Sequence, residues 1–91
     1  SDAPASAVPA NRAGGWAVQL GAFKSPEEAN KLRDRLKVAG FASFVDSIGK
    51  DSTKLWRVRA GPETDRAVTE KLRDAIKQKL SLANALIVPL P

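Results

Sequence analysis

Apolar and polar residues alternate in two segments of the chain, residues 16–21 and 56–61. A period of two predicts a β-strand with one buried face. The same offset of 40 positions aligns residues 31–34 with residues 71–74, and across these segments seven residues are identical. The chain therefore contains an internal repeat, in which a short strand, a glycine turn and a helix occur twice.

The first helix is predicted from apolar residues at spacings of three and four. Ser25 can cap the free amides, Pro26 suits the first helical position and Glu28 completes a capping box. Gly40 is expected to end this helix in a left-handed conformation. The stripe predicted to face the sheet is Ala29, Leu32, Leu36 and Ala39.

The second helix is predicted to follow the stop signal at residues 61–62, with Glu63 or Thr64 as its N-cap. Its apolar residues again recur at helical spacing. The stripe predicted to be buried is Val68, Leu72, Ala75 and Ile76.

Strands are also predicted at residues 41–48, 55–60 and 85–88, and residues 49–54 form a polar hairpin connection. The element order βαββαβ predicts an α+β, ferredoxin-like (RNP-like) fold. Its four-stranded antiparallel sheet has the order 4-1-3-2, with both helices on one face. We expect residues 1–13 to be a flexible Pro/Ala-rich linker, continuing towards a membrane anchor, and residues 14–91 to be one domain.

Composition argues against an enzyme. The chain has no His and no Cys among its 91 residues, which removes the commonest general base and the commonest zinc ligands. No carboxylate pair stands at catalytic spacing, so we expect no catalysis, no cofactor and no metal site. A net charge of +5 favours anionic partners. No apolar run approaches the roughly 18 residues of a membrane helix.

Strand alternation assigns side chains to the two faces of the sheet. Trp16, Val18, Leu20, Trp56, Val58 and Ala60 are predicted to face the helices, and both tryptophans are predicted to be core residues. The uncovered side of the sheet, the open face, is predicted to carry Ala17, Gln19, Gly21, Leu55, Arg57 and Arg59. Two planar guanidinium groups on one strand suit carboxylate or phosphate ligands.

Three phenylalanines leave alternatives open. Phe41 and Phe44 are three positions apart, so either one of them is exposed or a bulge intervenes. Phe23 follows the first strand, where it either plugs the core or borders the open face.

Three motifs, taken together, resemble the SPOR (sporulation-related repeat) domain family. They are Val18-Gln19-Leu20-Gly21-Ala22-Phe23, the helix end Ala39-Gly40-Phe41, and Trp56-Arg57-Val58-Arg59-Ala60-Gly61-Pro62. The resemblance covers about residues 15 to 90. It implies a peptidoglycan-binding module of bacterial envelope and division proteins, which binds GlcNAc-MurNAc glycan strands freed of stem peptides ("denuded" glycan) and localises its host to the septum, in the periplasm.

The resemblance also implies a binding surface on the open face. Its motifs point to Gln19, Ala22 and Arg57, with Phe23, Leu55 and Arg59 as neighbours. A Ser is common in the family at position 22, so the alanine of this chain lacks any hydroxyl contact there. We expect Arg57, with Arg59, to hold a glycan carboxylate, Gln19 to hydrogen-bond an acetamido or hydroxyl group, and Leu55 to pack on a sugar.

Two other classes of protein share this predicted architecture. An RNA-recognition domain has the same fold and a basic open face, but it needs outward aromatics on its third strand, where this chain has Leu55, Arg57 and Arg59. A protein-interaction domain of the ferredoxin-like fold would dock a partner on the same face. We expect a monomer that binds glycan and no nucleic acid.

Overall fold

The structure, a computed structural model, describes residues 15–91. The predicted linker, residues 1–13, lies outside the described residues. From the N-terminal side the elements are β1 (Trp16–Phe23), α1 (Pro26–Val38), β2 (Ser43–Ile48), a 3₁₀ turn (Asp51–Thr53), β3 (Leu55–Glu63), α2 (Arg66–Leu80) and β4 (Leu86–Pro89).

The sheet has the predicted topology. Its strand order is β2-β3-β1-β4, which is the predicted order 4-1-3-2 counted from the other edge, and all neighbouring strands are antiparallel. This confirms the α+β, βαββαβ assignment. The two central strands are β1 and β3, so the two copies of the repeat lie side by side.

The repeat sets a local two-fold relation between the central strands. Gln19 pairs with Arg59, which is its own equivalent 40 positions later. On either side of this pair, Trp16 lies opposite Glu63 and Phe23 lies opposite Trp56. Because antiparallel copies meet at equivalent residues, the two-fold axis passes through the Gln19–Arg59 pair.

The two helices begin 40 positions apart, at Pro26 and Arg66. Ser25 caps α1 as predicted, by accepting a hydrogen bond from the amide of Glu28. The α2 cap is Asp65, which accepts from the amide of Ala67 at 2.8 Å, so the prediction of Glu63 or Thr64 was wrong. Strand β3 runs on to Glu63, and the helix therefore starts later than the Gly61-Pro62 stop signal suggests.

Three of the four residues predicted for the buried stripe of α1 are buried, namely Ala29, Leu32 and Leu36, whereas Ala39 is the half-buried C-cap. On α2 the fully buried residues are Thr69 and Ile76, and Leu72 packs against the core between them. Val68 is exposed, so its predicted burial was wrong. Ala75 is exposed as well. Thr69 satisfies its hydroxyl by donating to the Asp65 carbonyl at 2.9 Å, which allows a polar residue to be buried there.

A β-bulge in β1 determines which residues reach the open face. Between Gln19 and Gly21 the strand advances two residues while β3 advances one, from Arg59 to Val58. The extra residue is Leu20, which is buried in the core. Gly21 consequently lies opposite the buried Val58, and the prediction that it faces outward was wrong.

Candidate functional site

The open face is ordered in rows across the strands. One row runs Leu86, Gln19, Arg59, Phe44 from β4 to β2. The next contains Ala22, Arg57 and Asp46, and the last pairs Leu55 with Ile48. Five of the six predicted site residues therefore share this face, namely Gln19, Ala22, Leu55, Arg57 and Arg59.

Phe23 does not belong to this surface. The bulge at Leu20 places Phe23 opposite Trp56, on the helix-covered side, where its ring packs against the core. A Cβ at position 21 would lie 3.0 Å from the Phe23 ring, so this aromatic side chain closes over the glycine. Of the two alternatives for Phe23, the structure shows the core plug, which corrects its inclusion among the site residues.

Arg57 forms a bidentate ion pair with Asp46 on the neighbouring strand. Its Nε donates to one carboxylate oxygen at 2.8 Å and its Nη2 to the other at 2.9 Å. This hydrogen bonding raises the pKa of Arg57 above its ordinary value. The guanidinium of Arg57 thus already holds a carboxylate, supplied by the protein itself.

Arg59 has a different environment. It is 9% exposed, and its Nε donates to Oε1 of Gln19 at 3.0 Å. Within residues 15–91, this is the hydrogen bond that its guanidinium makes, and Nη1 and Nη2 have no side-chain partner there. Burial, followed by the charge of Arg57, lowers the pKa of Arg59. A partly desolvated cation of this kind gains from an incoming anion.

The same contact determines the orientation of the Gln19 amide. Because Oε1 accepts from Arg59, the amide nitrogen Nε2 is directed away from that contact and offers its two N–H groups to a ligand. Gln19 and Arg59 together form a surface of hydrogen-bond donors. Such a surface suits carboxylate or carbonyl oxygens.

Apolar side chains flank these polar groups on the open face. Leu86 is 64% exposed beside Gln19, and Ile48 is 48% exposed beside Leu55. Phe44 is half-buried opposite Arg59, whereas Phe41 precedes β2 and packs against the core. The question left open by the phenylalanine spacing is therefore answered: Phe44 lies on the open face.

The two tryptophans differ in their burial. Trp56 packs against the core, and Lys54 lies over its ring with Nζ 5.6 Å from the centroid. Trp16 is half-buried outside the core cluster, beneath the guanidinium of Arg66 at 5.0 Å. Its prediction as a core residue was wrong, because Trp16 is the first residue of β1 and lies at the end of the sheet next to the start of α2.

Sequence reasoning missed Asp46 and Phe44. A hairpin connection of residues 49–54 pairs Ile48 with Leu55. Two residues further along each strand Asp46 lies opposite Arg57, and four residues further Phe44 lies opposite Arg59. The signal was therefore present once the hairpin register was assumed.

Across the described residues, no cluster of three or more acidic side chains is arranged to hold a metal ion. None of the helices in residues 15–91 is both long enough and apolar enough to cross a bilayer.

Three solved structures share the fold. The SPOR domain of RlpA from Pseudomonas aeruginosa is 28% identical with a TM-score of 0.69, covering 81% of this chain and 97% of that one. The peptidoglycan-binding domain of the Bacillus subtilis cell wall lytic enzyme CwlC is 25% identical with a TM-score of 0.68, covering 98% and 99%. The SPOR protein DedD is 23% identical with a TM-score of 0.66, covering 92% of this chain and 42% of that one, and shows the fold alone.

A search of curated protein sequences gave no significant match. The sequence profile of the SPOR domain matches residues 13–89, which include every strand and helix described above. The chain belongs to the SPOR domain family.

Proposed function

We propose that this chain is a non-catalytic peptidoglycan-binding module whose open face recognises glycan strands. Family membership and the structural likeness to a domain named for peptidoglycan binding support this function. The single observation that carries it is the donor surface formed by Gln19 and the buried Arg59 in the middle of an otherwise partly apolar face.

The chemistry of a glycan strand freed of stem peptides matches this surface. Each muramic acid then carries a free lactyl carboxylate, and N-acetyl groups stand on every sugar. The unused Nη atoms of Arg59 can bind the carboxylate in bidentate fashion, and the Gln19 amide can donate to the same group or to an acetamido carbonyl. Leu55, Leu86 and Phe44 provide apolar surface for sugar rings and acetyl methyls.

An intact stem peptide would oppose binding for two reasons. Its amide bond to the lactyl group removes the carboxylate charge that Arg59 requires, and the peptide adds bulk above the open face. We therefore propose selectivity for denuded strands. Where amidases produce such strands during division, the module would bring its host protein to the septum, in the periplasm, as a monomer.

The test is retention of the chain on purified sacculi before and after amidase digestion. Digestion is expected to increase the bound fraction. Gln19→Ala should reduce binding to digested sacculi, because the two N–H donors of the Gln19 amide are lost. Gln78→Ala, on the exposed side of α2, is the matched control and should bind as the parent does. Equal binding to digested and undigested sacculi would refute the selectivity, and no binding to either would refute the function.

The RNA-binding alternative gains little from the structure. The outward residues of β3 are Leu55, Arg57 and Arg59, as predicted, and the aromatic residue of this face, Phe44, lies on β2. Affinity for single-stranded RNA that falls steeply with salt would favour that class instead.

A further inference from the structure

Asp46 occupies the position that a ligand carboxylate would take on Arg57. Both of its oxygens are bonded, to Nε and Nη2, at 2.8 and 2.9 Å. This is the bidentate geometry by which arginine recognises carboxylates in general. Three N–H groups of Arg57 remain, two on Nη1 and one on Nη2, but an external carboxylate that approaches them would meet the negative charge of Asp46 close by.

Arg59 lies two residues further along β3 on the same face, and its hydrogen-bond partner is a neutral amide instead of a carboxylate. Its partner Gln19 is neutral and uses only Nε, so within the described residues no carboxylate bonds directly to Arg59, and Asp46 acts on its charge only at longer range. Adjacent residues on one face of a strand are about 7 Å apart. Without Asp46, the face would thus present two neighbouring unpaired cations. With Asp46, it presents one.

The number of available cations selects between kinds of anionic polymer. Two guanidinium groups about 7 Å apart would bind a densely charged polyanion at both points. A single group surrounded by apolar and amide contacts suits a polymer with one carboxylate on alternate sugars. The basic net charge of +5 makes such discrimination necessary, since it attracts polyanions of every kind.

We propose that Asp46 is a specificity-determining residue, which pairs with Arg57 so that Arg59 alone receives the ligand carboxylate and densely charged polyanions are disfavoured. This inference rests on the proposed function for its natural ligand, a denuded glycan. Asp46 acts through Arg57 and has no need to touch the ligand itself.

The test compares Asp46→Asn, Arg57→Gln, Arg59→Gln and the double variant Asp46→Asn/Arg59→Gln. The probes are amidase-digested sacculi, hyaluronan, which has one carboxylate on alternate sugars, and heparin, which is densely sulfated. Asp74→Asn on α2 changes the net charge as Asp46→Asn does, but its carboxylate contacts Arg73 on the helix side, so it is the matched control. Thermal unfolding followed by circular dichroism establishes that each variant is folded.

Four results are expected. Arg59→Gln lowers retention on digested sacculi by more than about tenfold, whereas Arg57→Gln lowers it by less than about threefold. Asp46→Asn raises heparin affinity by about fivefold and steepens its salt dependence by about one released ion, with a smaller effect on hyaluronan. In the double variant, the released Arg57 restores part of the binding that Arg59→Gln removes. Asp74→Asn changes none of these values.

Equal losses for Arg57→Gln and Arg59→Gln would overturn the inference, and so would an Asp46→Asn variant whose heparin affinity matches that of Asp74→Asn. If the parent chain fails to bind digested sacculi, the proposed function is wrong. The heparin and hyaluronan comparison between Asp46→Asn and Asp74→Asn then still decides whether Asp46 limits the charge of this face.

Discussion

Leu36 in the first repeat (residues 16–40) and Ile76 in the second (residues 56–80) lie 40 positions apart, and both side chains are fully buried. Ala29 and Thr69 are also equivalent and also fully buried. The open face differs instead, since Gln19 corresponds to Arg59 there, and Arg57 corresponds to Ala17, which is fully buried rather than exposed as predicted. Equivalent positions therefore keep their burial where the two repeats share the core, while the open face carries different chemistry in each repeat.

The largest effect should follow from breaking the shared core. Leu36→Ala and Ile76→Ala each remove a fully buried side chain under the same sheet, so each should lower the free energy of unfolding by about 2–5 kcal/mol. Denaturant unfolding would measure both values. Val38→Ala, at a side chain that is 89% exposed, should cost less than about 0.5 kcal/mol. A loss confined to one of the two core variants would show that the repeats do not share the core equally.

A smaller effect is expected at the two-fold axis, where the repeats meet. Gln19→Glu retains an acceptor for the Arg59 Nε but replaces the neutral amide with a carboxylate, which satisfies Arg59 internally as Asp46 satisfies Arg57. The free energy of unfolding should not fall. Retention on amidase-digested sacculi should drop by more than about tenfold, equivalent to about 1.4 kcal/mol, because the ligand carboxylate meets a like charge.

Unchanged retention of the Gln19→Glu variant would contradict the role of Gln19 and Arg59 as a donor surface. Gln19→Asn, which stays neutral, is its matched control for the altered side chain.

The helix ends provide a third comparison. Gly40 follows α1 with φ +98, and no atom lies within 4 Å of the position that its Cβ would take. Gly40→Ala should therefore cost about 1 kcal/mol of unfolding free energy from backbone strain alone, without any steric clash. A melting temperature equal to that of the parent chain would show that the left-handed conformation is not retained in solution.

The smallest effect, and of opposite sign, is expected at the end of α2. Ser81 caps this helix at φ 54, a left-handed conformation held here by a residue with a Cβ. Ser81→Gly relieves that strain but adds freedom to the unfolded chain, so a net gain of about 0.5 kcal/mol is expected. Thermal unfolding of the Ser81→Gly and Gly40→Ala variants, measured in parallel, would test both predictions. Destabilisation by Ser81→Gly would refute the strain argument.

Much of the fold could be predicted from the period of the apolar residues. The strands, the helices and the sheet order follow from alternation and from right-handed crossovers. The buried face of α2 could not be predicted in this way, because an assignment based on polarity places the apolar Val68 in the core instead of Thr69. The repeat itself contained the better signal, since adding 40 to the buried Ala29 gives Thr69.

The candidate site was predicted less completely, for reasons of register. The bulge at Leu20 adds one residue without disturbing the apolar pattern, so no periodicity reveals that Gly21 and Phe23 turn towards the core. The partnership of Arg57 with Asp46 depends on the hairpin register between β2 and β3. Hydrogen bonds between side chains on different strands cannot be obtained from either strand alone.

The two-fold axis through Gln19 and Arg59 has a consequence for polymers. A face with true two-fold symmetry would accept a chain in either direction, because reversing the chain would give identical contacts. Here an amide stands on one side of the axis and a guanidinium on the other. Arg57 likewise has the small Ala17 as its counterpart. These differences make the two directions across the face chemically inequivalent, so that a polymer with distinct ends binds in one orientation.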